Sequence, residues 1–346
     1  MSMIRSSERL AWLVVGLVAA ASAVAEEPRE LLQRMNEALT ARNYDGIFVH
    51  QQGRRVETLR IIHRVQDGRT MERLASLDGS GREFVRAGNE LTCYLPDKRT
   101  VLVERLAGER PLLGNFPKFD ESSSAFYDVR EIKRTRFLRR DTRVIAVNPR
   151  DEFRYGYRLW VDDETAMPLK TQLCDGRGRV IESLQVADLK LPKVIPDTAF
   201  KPDVSTEGFQ WLRTERESTK EVASNGALWN ALKLPPGFRM TVRSSQVMPG
   251  SSNPVAHLVF SDGLASVSVF VETQTPAAAA QVTESSAVQV GSSSAFSTVV
   301  EGRKVTALGD VPQVTVRTIA NSMKSGAKPE VSNAPAPALS LGAPRR

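Results

Sequence analysis

The sequence predicts an α+β protein built from two sheet-rich units, and three observations carry that expectation. Short runs of β-favouring residues recur between turn signals such as Gln52-Gly53, Asp67-Gly68, Asp78-Gly79 and Gly88-Asn89. An amphipathic helical pattern precedes them. After Pro202 the composition turns polar and charged before a second strand pattern begins. A chain of 346 residues is long enough to bury two cores.

Residues 1–25 read as a cleavable secretory signal. Arg5 and Arg9 give a basic start, an apolar run extends from Leu10 to about Ala21, and Ala23-Val24-Ala25 supplies small residues before Glu26. About a dozen apolar residues fall short of the roughly 20 that span a bilayer. No cysteine follows the cleavage position for lipid attachment, so the expectation is an exported, unanchored chain.

The first domain is expected over residues 28–202. Leu31, Leu32, Met35, Ala38 and Leu39 fall at helical spacing, and Asn43 and Gly46 close that pattern. The runs "GIFVHQQ", "VETLRIIHRV", "TMERLASL", "REFVRAG", "ELTCYL" and "RTVLVERL" predict an antiparallel meander. A second set of hairpins is predicted from "RVIAVNPRD", "YGYRLWVDD", "PLKTQLCDGRGRV" and "IESLQVADLKL". Between the sets, "GERPLLGNFPKFDESSSAFYDVREI" reads as loop with short helix and is a candidate flap.

Residues 203–225 read as a linker and residues 226–323 as a smaller α/β domain. That domain holds the hairpin "VAHLVFSDGLASVSVFVE" and a closing helix from "PQVTVRTIANSMK", where Pro312 suits a first helical turn because its missing N–H would have no partner there. Residues 324–346 are Pro-, Ala- and Ser-rich and are expected to be disordered.

The formal net charge of +7 is spread along the chain and favours anionic partners without naming one. His50, His63 and His257 have no ligand-spaced partner, and no phosphate loop, dinucleotide fingerprint or nucleophile elbow occurs, so neither metal nor cofactor is expected. His50 and His63 read as satisfied sheet histidines. Asp162, Asp163 and Glu164 follow an aromatic strand pattern; a hairpin corner suits them better than a cation cradle or an acid/base pair, because adjacent turn residues seldom converge. Arg130, Lys133, Arg134, Arg136, Arg139, Arg140 and Arg143 form a basic run in which few aromatics interleave, against nucleic-acid binding. A solvated strand-loop-strand face, anionic headgroups or an acidic protein segment would account for that run. Cys93 and Cys174 either pair in an oxidising compartment or stay as two buried thiols.

Several strand patterns are apolar on both alternating faces, such as Ile47 and Val49 against Phe48, and such a sheet must be covered on both sides. A two-layer core or a lipid-sized groove would each satisfy this. Alternation nominates Phe48, Leu59, Ile61, Leu74, Val101, Leu159 and Val161 as a lipid-facing layer, and Phe260, Leu264, Val267 and Val269 for partner contact or for the second core.

The stretches "NYDGIFVHQQGRRVETLRIIHRV", "LDGSGREFVRAGNELTCY", "YDVREI", "VNPRDEFRYGYRLWVDDETAMPLKTQL", "LPPGF" and "FSDGLASVSVFVE" resemble the MucB/RseB family of periplasmic negative regulators of the sigma-E type envelope-stress response. The likeness runs from about Asn43 to about Met323; "TRFLRRDTR" and the two cysteines depart from it. The resemblance implies a LolA/LolB-like open half-barrel of antiparallel strands with helices, followed by a smaller α/β domain. It implies a regulator, not an enzyme, that holds the periplasmic domain of a MucA/RseA-like anti-sigma factor and shields it from proteolysis. Release by lipopolysaccharide or another acylated lipid, and homo-oligomers, are implied as well. A soluble lipid or lipoprotein carrier is the alternative use of the same fold.

Overall fold

The computed structural model describes residues 26–105, 112, 119, 125–214, 228–247, 254–273 and 285–326. The expected signal segment, most of the candidate flap and the expected tail beyond Gly326 lie outside the described residues, while Lys324 to Gly326, expected in that tail, are ordered in a strand.

Helix α1 (Pro28–Ala41) begins on a reciprocal cap between Glu27 and Glu30, with Pro28 in the first turn, and buries Leu31, Leu32, Met35 and Ala38. The first meander comprises β1 (Tyr44–Gln52), β2 (Arg55–Gln66), β3 (Arg69–Ser76), β4 (Glu83–Ala87), β5 (Glu90–Leu95) and β6 (Thr100–Arg105). The second comprises β7 (Tyr127–Phe137), β8 (Arg140–Pro149), β9 (Gly156–Asp162), β10 (Pro168–Cys174) and β11 (Val180–Lys190). Antiparallel pairing of β11 with β1 fuses the two sets. β12 (Gln210–Thr214) then adds parallel to β6, giving twelve strands in the order β12-β6-β5-β4-β3-β2-β1-β11-β10-β9-β8-β7 among the described residues. Its end strands β12 and β7 do not pair, so the sheet stays open, as the expected fold class requires.

One face of this sheet packs against α1. Leu31, Leu32, Met35 and Ala38 join Tyr44, Phe48, Ile61, Ile145, Val147, Leu159, Val161, Leu169 and Val186 in a single apolar cluster. Gly46 permits this packing, since a Cβ there would sit 2.7 Å from the Phe48 ring. A short turn of chain at Asp197–Phe200 covers the opposite face, where Ile195 and Phe200 pack on Ile62.

The second unit is a six-stranded antiparallel sheet in the order β14-β15-β16-β19-β18-β17. Its strands are β14 (Arg239–Val247), β15 (Pro254–Ser261), β16 (Ser266–Thr273), β17 (Ser286–Val290), β18 (Ser293–Val300) and β19 (Arg303–Gly309). Helix α2 (Gln313–Asn321), capped by Pro312, lays Val316, Ile319 and Ala320 on the sheet. β13 (Leu228–Ala231) pairs with β20 (Met323–Gly326), so the two ends of this unit are stitched together.

Two expectations are corrected, and the open alternative for the two cysteines is decided. Val101 pairs through Tyr94, Glu83, Ala75 and Arg60 to Ile47, which puts it on the face opposite Phe48 and Ile61. Alternation within a strand does not fix its phase relative to other strands. The expected linker is anchored over its first half: the backbone N–H groups of Asp203 and Val204 donate to Glu83, Arg73 pairs with Asp203, and β12 joins the sheet edge. Cys93 and Cys174 are free buried thiols on β5 and β10, and β4, β3, β2, β1 and β11 lie between those strands in the sheet. Burial pushes the Cys93 thiol up to about 11, so it carries no thiolate at neutral pH.

Leu31→Ala removes a side chain with 0% exposure beneath the sheet. A loss of about 2–5 kcal/mol is expected, read as a lower urea midpoint.

Candidate functional site

The acidic triplet sits at the β9–β10 corner. Asp162 ends its strand and is buried, accepting from Arg140 Nη1 at 2.9 Å and from the Thr165 hydroxyl, while Ala166 turns the chain at φ 58°. Asp163 is a surface residue 3.9 Å from Arg134. The carboxylates do not converge. The basic run is likewise consumed largely by local pairs: Arg143 bonds Glu26 and Glu131, Arg140 bonds Asp162 and Arg134 bonds Glu131. Arg130 and Lys133 line a depression of about 640 Å³ on the outer face, floored by Trp160 and Val144.

Six of the seven nominated lipid-facing residues share the inner face. Phe48, Ile61, Leu159 and Val161 belong to the cluster beneath α1, Leu74 packs against it, and Leu59 stands opposite Phe48 in the register. This face is filled by α1 side chains, so an acyl chain would have to take the place of helix contacts.

The four residues nominated for partner contact divide. Phe260, Val267 and Val269 are 1%, 0% and 0% exposed inside the second core and present no surface. Leu264 instead reaches across to the apolar cluster of the first unit. It does so because the β15–β16 turn, Ser261 to Ala265, is the element that docks on the first unit.

At the centre of that contact lies a buried ion pair. Arg154 Nη1 donates to Asp262 Oδ2 at 2.6 Å, and both side chains have 0% exposure. The guanidinium also donates to the carbonyl of Pro236 at 2.5 Å and to Asp151 at 3.0 Å, and lies over the rings of Phe126, Tyr127 and Phe238. Tyr127 donates its hydroxyl to Asp262 Oδ2 at 3.1 Å, and Asp262 Oδ1 accepts the backbone N–H groups of Leu264 and Ala265. Burial, then the Asp262 charge, push the Tyr127 phenol far up, so it remains a donor. Gly237, at φ +80°, lies against Phe126, where a Cβ would come within 2.2 Å of the ring.

A second contact lies to one side. Ser292 donates to Glu182 at 2.7 Å, Gln52 donates to Ser292 at 3.0 Å, and Glu182 faces His50 Nε2 at 2.9 Å. The hydrogen bond to Glu182 raises His50 above its ordinary value, and the reciprocal bond lowers Glu182. Thr315 on α2 adds a bond to the carbonyl of Phe153.

Reading residues one at a time did not single out Arg154 or Asp262. A signal existed: the stretches that carry the family likeness supply Tyr127, Arg154, the Pro236–Phe238 corner and Asp262, and all of these meet at the joint.

Comparison with known proteins fits this picture. A family model described as MucB/RseB N-terminal domain matches residues 27–204, and one described as MucB/RseB C-terminal domain matches residues 223–324. The sigma factor AlgU regulatory protein MucB of Pseudomonas aeruginosa is 31% identical over 314 residues, covering 90% of this chain and 95% of that protein. The sigma-E factor regulatory protein RseB of Escherichia coli K12 is 30% identical over 302 residues, covering 86% and 90%. A solved complex of Pseudomonas aeruginosa MucA and MucB superposes with a TM-score of 0.69 at 29% identity, over 87% of this chain and 99% of that one. A crystal structure of MucB with MucA(peri) superposes at 0.67 with 27% identity, over 87% and 100%.

Arg154→Met and Asp262→Asn each strand a buried partner, and each is expected to cost about 3–5 kcal/mol. The double variant is expected to lose less than the sum, checked by a double-mutant cycle in urea. For the second contact, the contribution of raised His50 is full below its ordinary 6.5 and fades as pH rises beyond it. That of lowered Glu182 is full above its ordinary 4.5 and fades as pH falls. Stability contributed here should therefore peak between those values and decline toward pH 8, and Glu182→Gln should flatten that dependence of the urea midpoint.

Proposed function

The chain belongs to the MucB/RseB family, and on that premise we propose that it is a periplasmic regulator that binds the periplasmic domain of a MucA/RseA-like transmembrane anti-sigma factor. In this reading it shields that domain from regulated proteolysis, restrains sigma-E type envelope-stress transcription, and catalyses no reaction. The observation that carries the reading is that the likeness to a MucB solved with MucA covers 87% of this chain and so takes in both units. Among the described residues no helix is long and apolar enough to cross a membrane, which is compatible with a periplasmic protein.

The lipid-responsive half of the reading rests on the inner face. Phe48, Leu59, Ile61, Leu74, Leu159 and Val161 are the proposed acyl-contacting residues. An acyl chain and α1 would compete for the same apolar surface, because Leu31, Leu32 and Met35 already occupy it. Tyr127 belongs to that cluster and bonds Asp262, so repacking of the inner face would be felt at the joint. Leu264, which crosses the joint, is the residue through which partner grip would respond. The ligand acts only through a difference in its affinity for the two arrangements, and a tenfold loss of grip needs about 1.4 kcal/mol of difference. Self-association into homo-oligomers belongs to the same reading and is measurable by sedimentation.

The test is protection of a purified anti-sigma periplasmic domain from a site-specific protease. Stoichiometric, saturable protection is expected, declining when lipopolysaccharide is added. Undiminished protection at saturating lipopolysaccharide would remove the lipid-responsive half, and transfer of an acylated cargo to membranes without anti-sigma binding would favour a carrier instead.

A further inference from the structure

The depression on the outer face of the first sheet lies beside a bulge. Between Glu131 and Lys133 the β7–β8 register slips by one residue, so Ile132 has no partner on β8 and stands 49% exposed. A bulge bends its strand and sharpens the local twist. The bulged stretch of β7 forms one side of a hollow of about 640 Å³, and Arg158, Trp160 and Gln172 form the other. Val144 on β8 lies between them.

Two rows of directly paired residues cross this hollow, Arg130–Ala146–Arg158–Gln172 and Lys133–Val144–Trp160–Lys170. Leu159 and Val161 point to the cluster beneath α1, so their neighbours Arg158 and Trp160 point the other way. The rows are two residues apart along β9, or about 7 Å. Trp160 is half-buried, with Lys170 Nζ over its ring at 5.1 Å from the β10 side, and the indole still lines the hollow.

The charges here differ from those of the rest of the basic run. Arg134, Arg136, Arg140 and Arg143 are each paired with an acid. Among the described residues neither Lys133 nor Arg158 forms an ion pair, and Arg130 has only Asp128 at 3.9 Å, both side chains being more than half exposed. Glu131 brings no free charge to the hollow, because Arg143 holds it at 2.8 Å and Arg134 at 3.1 Å. Cations on an edge strand also deter pairing with another sheet. That role accounts for Arg130 and Lys133, but not for Arg158 two strands further in, nor for an indole beside it.

Three unanswered cations around a concave aromatic surface ask for an anion that carries a flat apolar face. A guanidinium fork matches a carboxylate, an indole packs against the C–H face of a sugar ring, and the Gln172 amide can both donate to and accept from a hydroxyl. An acidic peptide backbone would meet the cations and leave the indole without such a face. We propose that this hollow binds an acidic sugar, a pyranose bearing a carboxylate, with its ring on Trp160, its carboxylate toward Arg130, Lys133 and Arg158, and a hydroxyl at Gln172. The site stands apart from the lipid-responsive reading, which concerns the opposite face of the sheet.

The experiment is calorimetric titration of the full chain with trigalacturonate, with maltotriose as the uncharged sugar and with triglutamate as the ringless acid. Trigalacturonate alone is expected to bind, more weakly as salt rises and screens the exposed cations. Trp160→Leu should weaken binding about fivefold, and the surface double variant Arg130→Gln with Lys133→Gln by about as much. Equal binding of triglutamate overturns the proposal in favour of a plain basic patch. Equal binding of maltotriose overturns it by showing that the cations are not used, and binding of none of the three overturns it outright. Trigalacturonate binding untouched by the double variant also overturns it, and that variant alters only exposed side chains, so it decides the matter even if Trp160→Leu does not fold.

Discussion

The buried pair of Arg154 and Asp262 is the constraint around which the two units are arranged. Neither charge has water to fall back on, since both side chains have 0% exposure. Each must therefore be met by protein, and it is. Arg154 is answered by Asp151, Asp262, the Pro236 carbonyl and three ring faces, and Asp262 by Arg154, Tyr127 and two backbone N–H groups. A buried ion pair adds little net stability over a well-packed apolar contact, but it is severe on any arrangement that separates its members. That asymmetry suits a joint, because it makes one relative placement of the units distinctly better than others.

The joint is also wired to the inner face of the first sheet. Tyr127 contributes its ring to the cluster beneath α1 and its hydroxyl to Asp262, and Leu264 reaches from the second unit onto the same cluster. Packed interiors transmit displacement because they hold few voids. A ligand that changes how α1 sits on Phe48, Ile61 and Leu159 therefore acts on the groups that fix the second unit. The contact through Gln52, Ser292 and Glu182 adds a weaker, titratable tie on another side.

Much of the fold was legible along the chain. The helix at Leu31 to Leu39 and the hairpins flanking the Asp67-Gly68 and Gly88-Asn89 turns follow from local spacing, because helical and strand periods and turn residues are short-range properties. The corner role of Asp162 to Glu164 was legible for the same reason. The placement of Val101 was not, since each strand's phase depends on its partner's register. Nor was the addition of β12 to β6, because that parallel pairing joins segments about a hundred residues apart, with no turn signal to announce it.

By itself, the sequence determined two sheet-rich units, a helix with one apolar stripe, a chain without metal or nucleophile motifs, and a family likeness carried by six short stretches. Tertiary structure alone decided that four of those stretches meet, bringing Tyr127, Arg154, Pro236 and Asp262 into one buried joint. It also decided that Arg130 and Lys133 from β7 and Arg158 from β9 surround one depression beside Trp160. The physical reason is the same in both cases. Burial and hydrogen-bond satisfaction belong to neighbours in space, and those neighbours lie up to 135 positions apart at the joint. Periodicity reports which way a side chain points, whereas only the assembled sheets decide what it finds there.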